Sequence, residues 1–113
     1  MPHAATIDAE RALDALGDPT RRLVLRRLQA GPRSVQEIAD GLDVSRPAVS
    51  QHLKVLKDAG LAVVRIDGTR HLYGVDTCGI EAVKSWLDGF WDRALNAFKR
   101  AAEREADKRR VPY

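Results

Sequence analysis

The polar residues between Val44 and Lys57 are the ones whose types and spacing could support a chemical function. They offer hydroxyls, an amide and cations, and no acidic residue interrupts them, although the chain has 16 Asp and Glu residues. The amide of Gln51 can donate and accept together against the edge of an adenine. Cations such as Arg46 and Lys54 can bind phosphates. A surface of this kind suits the major groove of a DNA duplex.

The same segment carries the signals of a helix that would hold these side chains on one face. Ser45 is a favourable N-cap, and Gly60 can adopt the left-handed conformation that ends a helix. Val49, Leu53 and Leu56 recur at helical spacing and predict a buried stripe. The opposite face would carry Arg46, Pro47, Ser50, Gln51, Lys54 and Lys57. If this helix stood alone, an ordinary solvated surface helix would be the alternative interpretation.

The flanking segments favour the functional interpretation. Ser34 and Glu37 form a capping-box pattern that begins a short helix, so residues 34–60 are predicted to form a helix-turn-helix. Residues 61–75 are rich in β-branched residues around Asp67-Gly68, a hairpin-turn dipeptide, and predict a two-stranded wing. The wing would place Arg70 near the turn, within reach of a phosphate or the minor groove.

The two ends of the chain predict helices with more apolar surface than a small core needs. One helix is expected over residues 6–16 and a long one over residues 77–108, and both are interpreted as dimerisation helices. A further helix is expected from Pro19 to about Gln29, with Leu23, Val24, Leu25 and Leu28 facing inward. The alternative is that the long helix wraps its own core. The residues expected at the dimer interface are Ile7, Leu13, Val83, Leu87, Phe90, Trp91 and Phe98.

Together these elements predict one winged helix-turn-helix domain over residues 1–113, mainly α with a small β-hairpin, in the order ααααββα. The net charge of +3 is compatible with a polyanionic partner. The single cysteine, Cys78, excludes an intrachain disulfide and fits a reducing compartment. No apolar run has membrane-spanning length, and no signal peptide is evident. We therefore expect a cytoplasmic protein without membrane association or a cofactor.

At this point the sequence resembles the ArsR-type winged-helix repressors. The matching segments are Ala15-Leu-Gly-Asp-Pro-Thr-Arg-Arg-Leu23, Ser34–Leu42, Ser45–Leu56, Ala59-Gly-Leu61 and Asp67–Tyr73. The resemblance implies a homodimer, a palindromic operator and repression that some signal, such as a small-molecule effector, releases. It also implies that Ser50, Gln51 and His52 read or frame the bases, that Arg46 and Lys54 grip phosphates, and that Arg70 serves the wing.

The sequence departs from the metal-sensing members of that family. Those members carry a Cys-x-Cys pair in the helix before the recognition helix, whereas this chain has Val35-Gln-Glu-Ile-Ala39 there. Other members use Asp and His ligands on the last helix, and residues 77–110 contain no histidine. His3, His52 and His71 are scattered along the chain. We therefore expect no metal site, as in the family branch without the cysteine pair.

Two other classes of function remain for comparison. An enzyme would need convergent titratable groups, and no nucleophile–base pair or phosphate loop is evident. Ser50 and His52 do not form a dyad, because residues two apart on a helix point in different directions. A winged-helix protein-interaction module that never binds DNA is the second alternative, and the acid-free polar face of the recognition helix disfavours it.

Overall fold

The computed structural model describes residues 8–109, which form five helices and one antiparallel hairpin. The elements are α1 (Ala9–Ala15), α2 (Pro19–Leu28), α3 (Val35–Asp40), α4 (Arg46–Asp58), β1 (Ala62–Asp67), β2 (Arg70–Val75) and α5 (Thr77–Arg109). The described residues fall into two compact units that divide between Val83 and Lys84. The element order and the helix-turn-helix followed by a hairpin confirm the predicted fold class.

Side-chain caps fix where the first two helices begin. The Asp8 carboxylate accepts a hydrogen bond from the Glu10 amide at 2.9 Å, and Asp8 itself has an extended backbone. Helix α1 therefore begins at Ala9. The prediction of a helix over residues 6–16 is wrong at Asp8, and Thr6 and Ile7 lie outside the described residues. Asp18 caps α2 in the same way, accepting from the Thr20 amide at 2.8 Å. Both caps supply a hydrogen-bond acceptor to backbone amides that the first helical turn leaves without partners.

The core of the first unit is formed by apolar residues from α1, α2, α3 and α4 and from the start of β1. Its fully buried members include Val24, Leu28, Ile38, Val49, Leu53, Leu56 and Leu61. Leu23 does not join them, because its side chain is 44% exposed, and the prediction that it faces inward is wrong. Residues 24, 25 and 28 share one face of α2 at 100° per residue, and position 23 falls on the opposite side.

The hairpin pairs β1 with β2 in a register that runs from Ala62 opposite Val75 to Asp67 opposite Arg70. The turn therefore consists of Gly68 and Thr69, one residue later than the Asp67-Gly68 dipeptide suggested. Gly68 has a positive φ of 65°, which glycine adopts without steric cost. Asp67 thus belongs to the strand and closes the ladder with Arg70.

Two glycines allow a close contact between the end of α4 and the beginning of α5. Gly60 ends α4 with a positive φ of 75°, as predicted. Its carbonyl accepts a hydrogen bond from the Gly79 amide at 2.7 Å. A Cβ atom on Gly79 would stand 2.7 Å from the same oxygen, so only glycine permits this approach. The first turn of α5 is therefore held against the helix-turn-helix.

The second unit contains the remainder of α5, from residue 84 onward. Its large apolar side chains are exposed: Trp86, Leu87, Phe90, Trp91, Leu95 and Phe98. The rings of Trp86 and Phe90 stack with centroids 5.6 Å apart. None of the helices within residues 8–109 combines the length and apolarity needed to cross a membrane.

Candidate nucleic-acid interface

Helix α4 is fixed by its apolar side. Val49, Leu53 and Leu56 are each no more than 1% exposed, which confirms the predicted stripe. The Ser45 hydroxyl accepts from the Ala48 amide at 3.3 Å and determines where the helix begins. The rotation of α4 about its axis is therefore set by the core, and the polar face has to point to solvent.

That polar face is exposed, and the part of the chain that the structure describes leaves it open to a partner. Arg46, Pro47, Ser50, Gln51 and Lys54 are all exposed. Within residues 8–109, the side chains of Arg46, Ser50, Gln51 and Lys54 make no hydrogen bond or ion pair. A partner would not need to break any intramolecular contact to reach them.

His52 lies on the flank of α4 that faces α2. It is half-buried, and the Arg21 Nε donates to its Nδ1 at 3.5 Å. Arg21 also donates to the Ala15 carbonyl oxygen at 3.1 Å and lies 3.6 Å from a carboxylate oxygen of Asp18. The hydrogen bond from the Arg21 backbone amide, above other causes, lowers the pKa of Asp18. The structure thus places His52 in a polar cluster between two helices, apart from the exposed face.

Arg70 is held beside α3 by the capping box. Its Nη2 lies 3.0 Å from the Glu37 Oε1. That oxygen also accepts from the Ser34 amide at 3.0 Å, while the Ser34 hydroxyl accepts from the Glu37 amide at 3.2 Å, so the predicted capping box is confirmed. The Ser34 amide, then the Ser34 hydroxyl and the charge of Arg70, lower the pKa of Glu37. Glu37 is therefore ionised at neutral pH and orients the wing arginine.

A groove of about 500 Å³ separates the wing from the start of the helix-turn-helix. Two predicted residues, Arg46 and Arg70, line it. It is also lined by Ser34, Val35, Gln36, Thr69, His71 and Tyr73. The polar residues among these, Ser34, Gln36, Thr69 and His71, were not predicted as site residues. Their proximity depends on long-range pairing between residues 33 and 73, for which neighbouring residues in the chain give no signal.

The predicted dimer residues occupy different environments. Leu87, Phe90, Trp91 and Phe98 are exposed on α5, with Phe98 the most exposed at 73%. Leu13 and Val83 are half-buried, and Val83 packs partly against the core of the first unit. Ile7 lies outside the described residues. The exposed aromatic residues of α5 are thus the strongest candidates for contact with another chain.

Cys78 lies in the first turn of α5. A hydrogen bond from its side chain to Asp76 is the largest cause that raises the pKa of the thiol, and burial and nearby carboxylates act in the same direction. A raised pKa keeps the sulfur protonated and less nucleophilic. Within residues 8–109, no group of three or more His, Cys, Asp or Glu side chains is arranged to hold a metal ion.

A recognition helix oriented by a core, a hairpin wing and a groove lined by two arginines define a winged helix-turn-helix DNA-binding protein. The family pattern of a helix-turn-helix domain matches residues 16–65. The chain is 50% identical over 98 residues to the HTH-type transcriptional regulator Rv2034 of Mycobacterium tuberculosis, covering 87% of this chain and 92% of that protein.

Two further similarities extend over most of the chain. The transcriptional repressor SdpR of Bacillus subtilis is 30% identical over 82 residues, which cover 73% of this chain and 91% of the repressor. The solved structure of an ArsR-like transcriptional regulator from Rhodococcus sp. RHA1 superposes with a TM-score of 0.71 at 30% identity, covering 83% of this chain and 92% of that one. The chain belongs to the ArsR family of helix-turn-helix transcriptional regulators.

Proposed function

We propose that the protein is a homodimeric repressor that binds a palindromic operator in double-stranded DNA near its own gene, in the cytoplasm, and that it is not an enzyme. The observation that carries this proposal is the exposed, acid-free polar face of α4, on which the side chains of Arg46, Ser50, Gln51 and Lys54 have no hydrogen bond or ion pair within residues 8–109. Gln51 and Ser50 would face base edges, and Arg46 and Lys54 would contact phosphates. Pro47 would lie against the duplex at the start of the helix.

The wing would extend this contact along the duplex. Arg70 and the groove beside it offer a cation, hydroxyls and an imidazole at one edge of α4, where a sugar-phosphate backbone would lie. His52 would act indirectly, because its contact with Arg21 fixes α4 against α2. A repressor needs no more than this, since occupancy of a promoter excludes other proteins from it.

The exposed apolar residues of α5 support the homodimer. Isolated apolar residues are common on protein surfaces, but a continuous stripe of large ones marks an interaction site. Dimerisation through α1 and α5 would bury such residues. A twofold dimer presents two recognition helices and therefore matches a DNA site with twofold symmetry.

The test is a binding titration with the DNA upstream of the gene and with a scrambled duplex of equal length, each over a salt series. We expect the upstream DNA to bind more tightly by about 10³-fold or more, with affinity for both duplexes falling steeply as salt rises. Equal affinity for the two duplexes would refute the specific operator. A lack of salt-dependent binding to either would refute DNA binding itself.

A further inference from the structure

A second cavity lies beside the hairpin, between its strands and the end of α2. It has a volume of about 590 Å³ and is formed between the end of α2, the Gly31-Pro32 turn and the strands. This volume falls within the range of about 300–1,000 Å³ that is typical of sites for small organic ligands. None of the residues proposed to contact DNA lines it. Its lining residues are Leu28, Gln29, Gly31, Pro32, Val63, Val64, Arg65, Leu72, Gly74 and Val75.

The chemistry of the lining indicates the class of ligand. The strand register pairs Val63 with Gly74 and Arg65 with Leu72, so these four residues share one face of the hairpin. Leu28 and Pro32 add apolar surface from the opposite wall, and the Gln29 amide is the other polar side chain of the lining. The Arg65 side chain is exposed, and among residues 8–109 it makes neither a hydrogen bond nor an ion pair. An apolar cavity with one uncompensated cation at its wall is complementary to a compact apolar molecule that carries a carboxylate.

We propose that this cavity binds a compact organic carboxylate, with its apolar body against Leu28, Pro32 and Leu72 and its carboxylate on Arg65. Glycine at position 74 keeps the cavity open. The backbone there does not require glycine, because its φ is not positive, and a Cβ atom would stand 4.0 Å from the Pro32 Cγ. A larger side chain at position 74 would therefore occupy the space without straining the strand.

The cavity is connected to the nucleic-acid interface through two backbone hydrogen bonds. The Arg33 amide donates to the Tyr73 oxygen at 2.9 Å, and the Tyr73 amide donates to the Arg33 oxygen at 2.8 Å. The cavity walls Pro32 and Gly74 are the immediate chain neighbours of this pair. Arg33 is followed directly by Ser34, the N-cap of α3. Tyr73 belongs to β2, the strand that begins at Arg70. A ligand that separates the two walls would therefore shift the wing relative to α3. This effect on DNA rests on the proposed function, whereas the binding itself does not.

Binding is tested on the full chain without DNA, with 2-naphthoate as the probe and its neutral analogue 2-naphthamide as the comparison. Amide resonances are followed by heteronuclear NMR. We expect saturable shifts at Gly31, Val63 and Gly74 with 2-naphthoate, and affinity weaker by about tenfold for the amide because the charged contact with Arg65 is lost. Equal affinity for the two compounds would overturn the carboxylate assignment, and shifts confined to α5 would overturn the site.

Three variants make the test specific. Arg65→Gln and Gly74→Ile should each lower the affinity for 2-naphthoate by about tenfold, the first by removing the cation and the second by filling the cavity. Arg26→Gln removes an exposed cation of α2 that does not line the cavity, and it should bind 2-naphthoate like the wild type. Loss of binding in Arg26→Gln to the same extent would refute a specific role for Arg65. If Gly74→Ile fails to fold, Gly74→Val, which is smaller, replaces it.

The effect on DNA is measured separately, with upstream DNA and saturating 2-naphthoate. We expect operator affinity to fall in the wild type and to stay unchanged in Arg65→Gln. Binding of the probe without any effect on operator affinity would overturn the link between the cavity and the wing. Absence of operator binding before the probe is added would refute the proposed function and leave the NMR result on the cavity standing.

Discussion

At the scale of single residues, the polar face of α4 separates two kinds of contact. Gln51 points directly away from the buried stripe of Val49, Leu53 and Leu56, and its amide can both donate and accept. Lys54 lies one turn further along the same face and carries a flexible point charge. An amide reads base edges, whereas an ammonium group responds to phosphates regardless of sequence. The two residues should therefore have different energetic signatures.

We expect Gln51→Ala to cost about 1–3 kcal/mol on the operator and to change affinity for a scrambled duplex little. Lys54→Ala is the matched comparison and should weaken both duplexes similarly, reducing the slope of log K against log salt by about one. Titrations of each variant on both duplexes across a salt series would measure this. Equal weakening of both duplexes by Gln51→Ala would show that Gln51 does not read bases.

The spacing of apolar residues was sufficient to predict the exposed face of α4, because a helix has a fixed period and its buried stripe determines the opposite side. It does not give the surroundings of His52. That residue follows Gln51 directly, and the family resemblance implies that it reads or frames the bases. Its observed orientation depends on Arg21, which is 31 residues away in the chain. Periodicity within one helix cannot report a contact of that kind.

At the scale of elements, the wing and α3 share one carboxylate. Glu37 is bound by the Ser34 amide and lies 3.0 Å from the Arg70 guanidinium. In the proposed complex, Arg70 would exchange this carboxylate for a phosphate, and Glu37 would stand close to the negatively charged backbone. Glu37 should therefore stabilise the free protein and oppose DNA binding.

Glu37→Gln should strengthen binding to operator and scrambled DNA alike, by roughly two- to fivefold, since exposed ion pairs are weak. Gln at this position retains an oxygen for the Ser34 amide, so the cap survives while the charge is removed. Glu103→Gln, which changes the same charge on α5, is the control and should leave affinity unchanged. If Glu37→Gln leaves both affinities at the wild-type value, Arg70 does not exchange partners.

The pH dependence of stability reports on the same carboxylate, mainly through its hydrogen bonds with Ser34 and to a smaller extent through the charge of Arg70. Because the pKa of Glu37 is lowered in the folded protein, its stabilising effect is fully present above its ordinary value of 4.5 and is lost as the pH falls through the lowered value. Urea unfolding at neutral and acidic pH should therefore show less acid sensitivity in Glu37→Gln than in the wild type.

Most element boundaries could be predicted because their signals are local. Asp18, Ser34 and Ser45 each cap a helix with a side chain that reaches an amide two or three residues further on. The start of α1 and the position of the hairpin turn could not be predicted from local signals, because Asp8 suits the polar face of a helix as well as its N-cap, and Asp67 suits a turn as well as the end of a strand. The groove beside Arg70 could not be predicted, because it depends on how the chain pairs over 40 residues between Arg33 and Tyr73.

At the scale of the whole molecule, the exposed aromatic residues of α5 determine the proposed assembly. Phe90 is 53% exposed, and within residues 8–109 its ring stacks on Trp86 of the same helix, so its removal should not disturb the core of the first unit. A stable homodimer usually buries on the order of 2,000 Å² or more in total. An ionised carboxylate buried in such an interface without a partner would be strongly unfavourable.

We therefore expect Phe90→Asp to produce a folded monomer, with the helical circular dichroism of the wild type and half its mass by light scattering at micromolar concentration. Because two linked recognition helices gain effective concentration on adjacent half-sites, the monomer should lose operator affinity by on the order of a hundredfold or more. Asn96→Asp adds the same charge on the polar side of α5 and should remain dimeric. A wild-type chain that is monomeric under these conditions would refute the assembly. A Phe90→Asp variant that stays dimeric would show that the interface lies elsewhere than on this part of α5.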